Sequence, residues 1–197
     1  MIVSKLIIDK IGSATKNVPL KKEVRIQDEI IAESGYIIAG KIRGSKSTYN
    51  TIENTNGRQV ALHEGDVLVG VLGHRNALQG YSGVVPKVVK VGDILHVLNL
   101  GGVIGKCTSI NPSVGNPFEF EVLGSVLVYP DFGNRIGVPA NVKMNALASE
   151  VSLEKVKTVP VIYVAGTCMN AGKTTASCEI IRYLSGEGLK VGACKLT

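Results

Sequence analysis

Residues 161–175 read VIYVAGTCMNAGKTT, and this stretch decides how the C-terminal part of the chain folds. It begins with five apolar residues in a row, which is typical of a strand buried in a parallel sheet. Residues 174–185 then place apolar side chains at helical spacing, and Gly186 and Gly188 follow as stop signals. A second apolar segment covers 189–194. The sequence therefore predicts a β-α-β unit, the start of an α/β domain.

The segment that joins the first strand to the helix has the composition of a phosphate-binding loop. Glycines let the backbone curl so that its N–H groups surround an anion, and a helix that starts at Lys173 adds the positive end of its dipole. Lys173 would stabilise charge on the β- and γ-phosphates as the catalytic residue, and the Thr174 hydroxyl would ligate Mg²⁺. The predicted nucleotide-binding residues are Gly166, Thr167, Asn170, Ala171, Gly172, Lys173, Thr174 and Thr175.

The spacing of this loop is unusual. Five residues separate Gly166 from Gly172, where the standard pattern has four. A chance occurrence of such a pattern has a probability on the order of 1%, given the average frequency of glycine. The alternative is an ordinary strand-to-helix turn with an exposed lysine, and we favour the phosphate-binding loop.

The order Gly-Thr, four residues, then Gly-Lys-Thr at 166–174 resembles the loop of dethiobiotin synthetase and of the cobyrinic acid a,c-diamide synthase family, which are ATP-dependent ligases. The resemblance covers residues 160–197. It implies a P-loop NTPase domain that takes ATP, in preference to GTP, with Mg²⁺ and a small-molecule substrate. It also implies that Lys195, at the end of the second strand, contacts that substrate. Cys168 stands where dethiobiotin synthetases carry Asp.

A P-loop domain contains about five strands and a second acidic strand end that holds Mg²⁺ through water. We therefore expect residues 160–197 to be an incomplete domain, either truncated or completed by a partner, and we favour truncation. In complete form the protein would be an Mg²⁺-dependent NTPase or ATP-dependent ligase, whereas this chain alone would bind nucleotide without turnover. The uncovered sheet face predicts packing against the rest of the chain or a homodimer.

Before about residue 130 the apolar segments are short, β-like and separated by Gly and Asn, with only a weak helical signal over 27–33. This pattern predicts a mainly β N-terminal domain, a barrel or a sandwich. The predicted strands are 6–11, 36–42, 67–72, 94–100, 103–107 and 118–128. The predicted domains are residues 1–147 and 160–197, joined by a linker at 148–159, and a short linking helix is predicted over 145–156.

Two of these strands share an entry, Glu64-Gly65-Asp66 and Val91-Gly92-Asp93. Gly and Asp are both frequent in turns, since Gly adopts positive φ and the Asp side chain bonds nearby amides. The match indicates either a duplicated hairpin unit or ordinary turn chemistry. Because it covers only a few residues, we favour turn chemistry.

No defensible chemistry emerges from the N-terminal part. The polar loop 46–58 is long enough to be either mobile or functional, and the Gly-rich segment 74–83 fits either a ligand pocket or a tight hairpin loop. His63, His74 and His96 lack the spacing of metal ligands. The four cysteines form no Cys-x-x-Cys pair and are expected to be buried free thiols; they are Cys107, Cys168, Cys178 and Cys194.

Composition excludes several classes of protein. The 197 residues carry 22 Lys and Arg against 16 Asp and Glu, with 45% hydrophobic and 19% charged residues, which argues against disorder. The net charge of +6 is spread out and there is no Trp, so the composition argues against nucleic-acid binding. No signal peptide or apolar segment of about 20 residues is present, so we expect a cytoplasmic protein without membrane contact.

The competing functional class is a binding module. In that interpretation the β domain recognises a small ligand or an oligonucleotide, and the nucleotide unit is a switch or a vestige. An affinity that falls steeply with salt would identify the nucleic-acid case.

Overall fold

The computed structural model describes residues 2–131, 133, 135–146, 159–167 and 171–194. The chain divides into two units, Met1–Ser149 and Glu150–Thr197. The predicted linker helix over 145–156 lies almost entirely outside the described residues, and its first residue ends a 3-10 turn, Val142–Asn145.

The first unit is mainly β, as predicted. Its strands in the described residues are β1 (Val3–Ile7), β2 (Lys10–Ile11), β3 (Glu23–Gln27), β4 (Ile37–Arg43), β5 (Thr51–Glu53), β6 (Gln59–Ala61), β7 (Val67–Leu72), β8 (Tyr81–Val84), β9 (Ile94–Val97), β10 (Val103–Ile110), β11 (Glu119–Val128) and β12 (Val138–Pro139). The predicted strand 67–72 is confirmed without change. The helical signal over 27–33 is wrong, because Gln27 ends strand β3 and residues 28–33 form bends and irregular backbone.

The strands pair mostly antiparallel, in the order β1-β3-β11-β4-β7-β10-β8. Strand β11 also pairs with β9 and β12, and β9 pairs with β10. The ladders therefore run from β11 through β4, β7, β10 and β9 and return to β11. Two ladders are parallel, β7 with β10 and β2 with β7, while β5 and β6 form a separate hairpin.

A β-bulge in β11 divides its buried side chains between two hydrophobic clusters. The register to β4 shifts between Val122 and Gly124. Before the shift, Phe120 and Val122 belong to one cluster, and after it Val126 belongs to the other. All three have even numbers, so an unbroken strand would direct them to one face. Because of the extra residue, even-numbered side chains after the bulge point to the opposite face of the sheet from those before it. One strand therefore contributes to both clusters.

The two Gly-Asp turns have the same backbone geometry. Gly65 and Gly92 both have φ of 89°, a conformation that favours glycine. The Gly65 N–H donates to Ile42 O at 2.9 Å, and the Gly92 N–H donates to Val122 O at 2.8 Å. In return, Ile42 and Val122 each donate an N–H to the carbonyl of the aspartate that follows the glycine, both at 2.9 Å.

The aspartate side chains repeat as well. Asp66 Oδ2 accepts from the His63 N–H at 2.6 Å, and Asp93 Oδ2 accepts from the Lys90 N–H at 2.8 Å. Turn chemistry explains this local bond, and the reciprocal bonds to Ile42 and Val122 continue the β4–β7 and β9–β11 ladders. The preference for turn chemistry over a duplicated unit therefore stays a prediction. The two turns differ in their charged contacts, because Asp66 also accepts a hydrogen bond from the Lys10 ammonium and lies 3.7 Å from His63 Nδ1.

The helix predicted in the second unit is confirmed as α1 (Lys173–Gly186). Gly188 has φ of 80° and donates its N–H to Ser185 O at 3.1 Å, while Leu189 donates to Leu184 O at 3.1 Å. These two bonds define a Schellman motif, which satisfies carbonyls that the last turn leaves open. The second of the two predicted stop signals therefore acts as the helix terminator.

The strands predicted on either side of α1 are absent from the described residues. Residues 159–167 and 189–194 have no strand hydrogen bonds, and Val161 and Tyr163 are 87% and 78% exposed. An apolar run becomes a strand only when a neighbour pairs with its backbone, and the described part of this unit contains no such neighbour. Of the predicted β-α-β unit, the described residues therefore contain only the helix.

Candidate functional site

The predicted phosphate-binding loop enters α1 through a left-handed residue. Gly172 has φ of 82° and ψ of 7°, and its carbonyl accepts the first helical hydrogen bond from the Ala176 N–H at 2.9 Å. No side chain caps the helix at this residue. The backbone thus turns sharply into the helix at the glycine of the Gly-Lys-Thr sequence, where a Cβ would add strain.

The Lys173 side chain folds back along the loop towards Gly166. A Cβ placed on Gly166 would lie 3.0 Å from both Cγ and Cδ of Lys173 and 3.3 Å from its Nζ. The half-buried lysine therefore occupies the space that any other residue at position 166 would fill. The first glycine of the motif, Gly166, is therefore in contact with Lys173, seven residues later. This contact is a steric reason for having a residue without a side chain at position 166.

The start of α1 is electrostatically positive. Its first turn contains no acidic residue, and Thr174 and Thr175 are exposed. The first N–H groups of a helix have no partner inside it, and the helix dipole adds partial positive charge there. Within this turn, the Ser177 hydroxyl donates to Lys173 O at 2.9 Å, a bond that uses a carbonyl and not an N–H group.

The remaining predicted residues of the loop have mixed outcomes. Gly166, Thr167 and Ala171 are exposed loop residues close to the helix start. Asn170, together with Cys168, lies outside the described residues, and so does the predicted substrate contact Lys195. Their roles remain predictions.

ATP and Mg²⁺ are the groups that the motif implies. The N–H groups at the start of α1 suit phosphate oxygens, and Lys173, beside Gly166, would supply the cation. The exposed Thr174 hydroxyl is an oxygen ligand of the kind that Mg²⁺ prefers. Within the described ranges, no group of three or more His, Cys, Asp or Glu residues forms an alternative metal site.

Sequence reasoning missed a second polar centre, in the first unit, around Lys46. The Lys46 ammonium donates hydrogen bonds to the Tyr81 hydroxyl, to Val114 O at 3.0 Å and to Asn116 O at 2.7 Å. Burial lowers the pKa of Lys46 and raises that of Tyr81 to about 12. The sequence shows only aromatic residues scattered among polar loops. Because Tyr49, Tyr81 and Phe118 are far apart along the chain, no local pattern indicates that they share one site.

An open groove of about 490 Å³ lies beside this lysine, between segments 43–48 and 115–119. Its lining is largely polar. Arg43, at one end, is paired with Glu121 through an Nε–Oε2 hydrogen bond of 2.6 Å. The loop predicted as potentially functional, 46–58, therefore contributes its first residues to the groove and its later ones to β5.

The Gly-rich segment 74–83 forms a tight hairpin loop, one of the two alternatives. Arg75 and Gly83 exchange both backbone hydrogen bonds at 2.9 Å. The Ser82 hydroxyl contacts Asn76 Oδ1 and the Ala77 N–H, both at 3.2 Å. Two other polar side chains of the loop bond outside it, since Arg75 donates to Leu98 O and His74 Nδ1 accepts from the Val85 N–H at 3.4 Å.

The histidines and cysteines take structural positions. His96 Nδ1 accepts from the Cys107 N–H at 3.2 Å, and burial lowers the pKa of His96. Burial also raises the pKa of the Cys107 thiol. The expectation of buried thiols is wrong for Cys178 and Cys194, which are free but exposed, because the described part of their own unit contains no element that covers α1 or the segment after it.

Comparisons with family models, with curated proteins and with solved structures gave no match. Among the described residues, no helix has the length and apolar character needed to span a membrane.

Proposed function

We propose that the second unit binds the phosphate groups of a nucleotide, ATP in preference to GTP, together with Mg²⁺. The observation that carries this proposal is the position of Lys173, folded back over Gly166 at the start of α1. A lysine in this position meets phosphates that rest on the helix N-terminus, as the motif requires.

The local charges support an anion rather than a neutral ligand. The helix N-terminus and Lys173 are both positive, and the first turn of α1 contains no acidic residue. The N-cap residue, Gly172, makes no side-chain hydrogen bond to the helix start. A polyphosphate matches this positive charge.

In a whole P-loop domain, this site would serve ATP hydrolysis or the activation of a carboxylate by phosphoryl transfer. Lys173 would then stabilise charge on the transferred group, and Thr174 would hold Mg²⁺. This part of the proposal rests on the resemblance at residues 160–197.

Calorimetry with MgATP and MgGTP tests the proposal on the full chain. We expect wild type to bind MgATP more tightly than MgGTP, and Lys173→Ala to bind about tenfold more weakly or worse, since a lost charge-assisted hydrogen bond removes about 1.5–3 kcal/mol. Lys190→Ala is the matched control, because Lys190 is an exposed lysine of the same unit outside the loop. Wild type that binds neither nucleotide, or equal binding by all three proteins, would contradict the proposal.

We also infer that the first unit is a barrel rather than a sandwich. This inference rests on the strand pairings, which lead from β11 through β4, β7, β10 and β9 back to β11. Slow hydrogen exchange at the β9–β11 ladder, equal to that of β4–β11, is the expected result. Rapid exchange at β9–β11 alone would favour a sandwich with an open edge.

A further inference from the structure

Lys46 has all three of its ammonium protons in use. A lysine ammonium offers three donors, and the acceptors here are the Tyr81 hydroxyl and the carbonyls of Val114 and Asn116. The Tyr81 hydroxyl in turn lies 3.0 Å from Val114 O and donates to it. The nitrogen is therefore held by a complete hydrogen-bond shell.

Aromatic rings complete the surroundings of the nitrogen. Lys46 Nζ lies 5.9 and 5.6 Å from the ring centroids of Tyr49 and Phe118, while the Tyr81 ring, 5.0 Å away, meets the nitrogen through its hydroxyl. Ring faces attract cations, and the attraction grows when the cation is partly desolvated. Carbonyls together with several aromatic rings form the kind of surface that recognises an ammonium group. We call this set the ammonium box; its members are Tyr49, Tyr81, Phe118 and the carbonyls of Val114 and Asn116.

The box includes one strained residue. Tyr49 has φ of 51°, the only positive value of a non-glycine residue in the described part of the chain. A bulky side chain rarely adopts this conformation, which costs on the order of 1 kcal/mol or more. Its ring meets that of Tyr81 edge to face at 5.6 Å. The strain is thus associated with placing the Tyr49 ring against the box.

Three separate segments meet at the single nitrogen atom. Lys46 and Tyr49 belong to the loop after β4, Tyr81 belongs to β8, and the two carbonyls belong to the loop between β10 and β11. The first and last of these loops are also the walls of the 490 Å³ groove. The walls are joined at their base by the β4–β11 ladder, which pairs Arg43 with Glu119, and further out Thr48 Oγ1 approaches Val114 O at 3.4 Å.

We propose that the ammonium box is a binding site for a primary ammonium group, which Lys46 fills from within the chain as a latch between the groove walls. Removing the lysine side chain leaves a vacant box whose chemistry suits a small primary alkylammonium ion. Propylammonium has the same atoms as the part of lysine that Lys46→Ala removes, namely three methylene-chain carbons and the nitrogen.

The test compares the full chain as wild type, Lys46→Ala and Lys87→Ala, the last being a control at an exposed lysine. Each is heated in equal concentrations of propylammonium, tetramethylammonium or sodium chloride. We expect Lys46→Ala to unfold about 3 °C or more below wild type. Propylammonium should raise the midpoint of Lys46→Ala alone, and tetramethylammonium, which has no N–H donor, should not.

Hydrogen exchange of residues 111–118 gives a second measurement, and propylammonium should slow it in Lys46→Ala only. If Lys46→Ala does not fold, Lys46→Met is compared with Lys87→Met, and we expect exchange of 111–118 to be about tenfold faster in the former. Unchanged stability of the Lys46 variants, unchanged exchange of 111–118, or an equal effect of propylammonium on all proteins would overturn the proposal.

Discussion

Replacing the aspartate in each Gly-Asp turn should have very different effects, although the two turns share their backbone hydrogen bonds. Asp66 pairs with the Lys10 ammonium, and the two side chains are only 16% and 14% exposed. Removing one partner of a buried ion pair leaves an uncompensated charge and costs about 3–5 kcal/mol. Asp93 is exposed, and its carboxylate accepts one backbone hydrogen bond, whose loss costs about 0.5–1.5 kcal/mol.

We therefore expect Asp66→Ala to lower the free energy of unfolding by about 3 kcal/mol more than Asp93→Ala does. Urea titration followed by circular dichroism measures both, with the slope of the transition checked for constancy. A double-mutant cycle with Lys10→Met isolates the ion pair, since Asp66→Ala should cost much less when the lysine charge is already gone. If the two aspartate variants lose equal stability, the role assigned to the Lys10–Asp66 pair is wrong.

Three further predictions concern single residues. Ser125 is fully buried, and its hydroxyl has no hydrogen-bond partner in the described structure. Ser125→Ala should therefore raise the free energy of unfolding, measured by urea titration, by about 1 kcal/mol. A loss of stability would show that the hydroxyl has a partner after all. Burial lowers the folded-state pKa of His96, so the folded protein binds fewer protons at this site than the unfolded chain. Stability should therefore fall as the pH drops below about 6.5, and His96→Gln should reduce that dependence in urea titrations at pH 5.5 and 7.5. Gly166→Ala should weaken MgATP binding about tenfold, because the added methyl group displaces Lys173. Circular dichroism should show that α1 stays intact. Unchanged MgATP binding would show that the contact between Gly166 and Lys173 has no part in nucleotide binding.

Local sequence predicted those elements whose signal is complete within a few residues. Strand β7 and helix α1 are examples, since each has a strong period and clear boundary residues. Strand β3 was missed because its alternating residues lie in a charged segment, and β8 because Gly-rich sequence has low strand propensity. Both become strands through partners distant in the chain, which no local pattern reports.

The same limitation applies to the sites. The order of Gly172, Lys173 and the residues that follow is contiguous, so the phosphate-binding hypothesis was accessible from the sequence. The ammonium box was not, because its members are brought together only by the strand pairings. Residues 161–165 are the opposite case. Their sequence strongly predicts a strand, but the described part of their unit contains no strand that pairs with them.

The bulge in β11 has a consequence for how the gene tolerates insertions and deletions. If one codon within 119–122 were lost, side chains in that half of the strand would point to the opposite face of the sheet. Phe120 would then leave a cluster in which it is fully buried. At Leu123 the strand already carries one residue more than its partner. Codon loss there would straighten the ladder and direct Val126 to the opposite face, so the strand has no position at which its length is neutral.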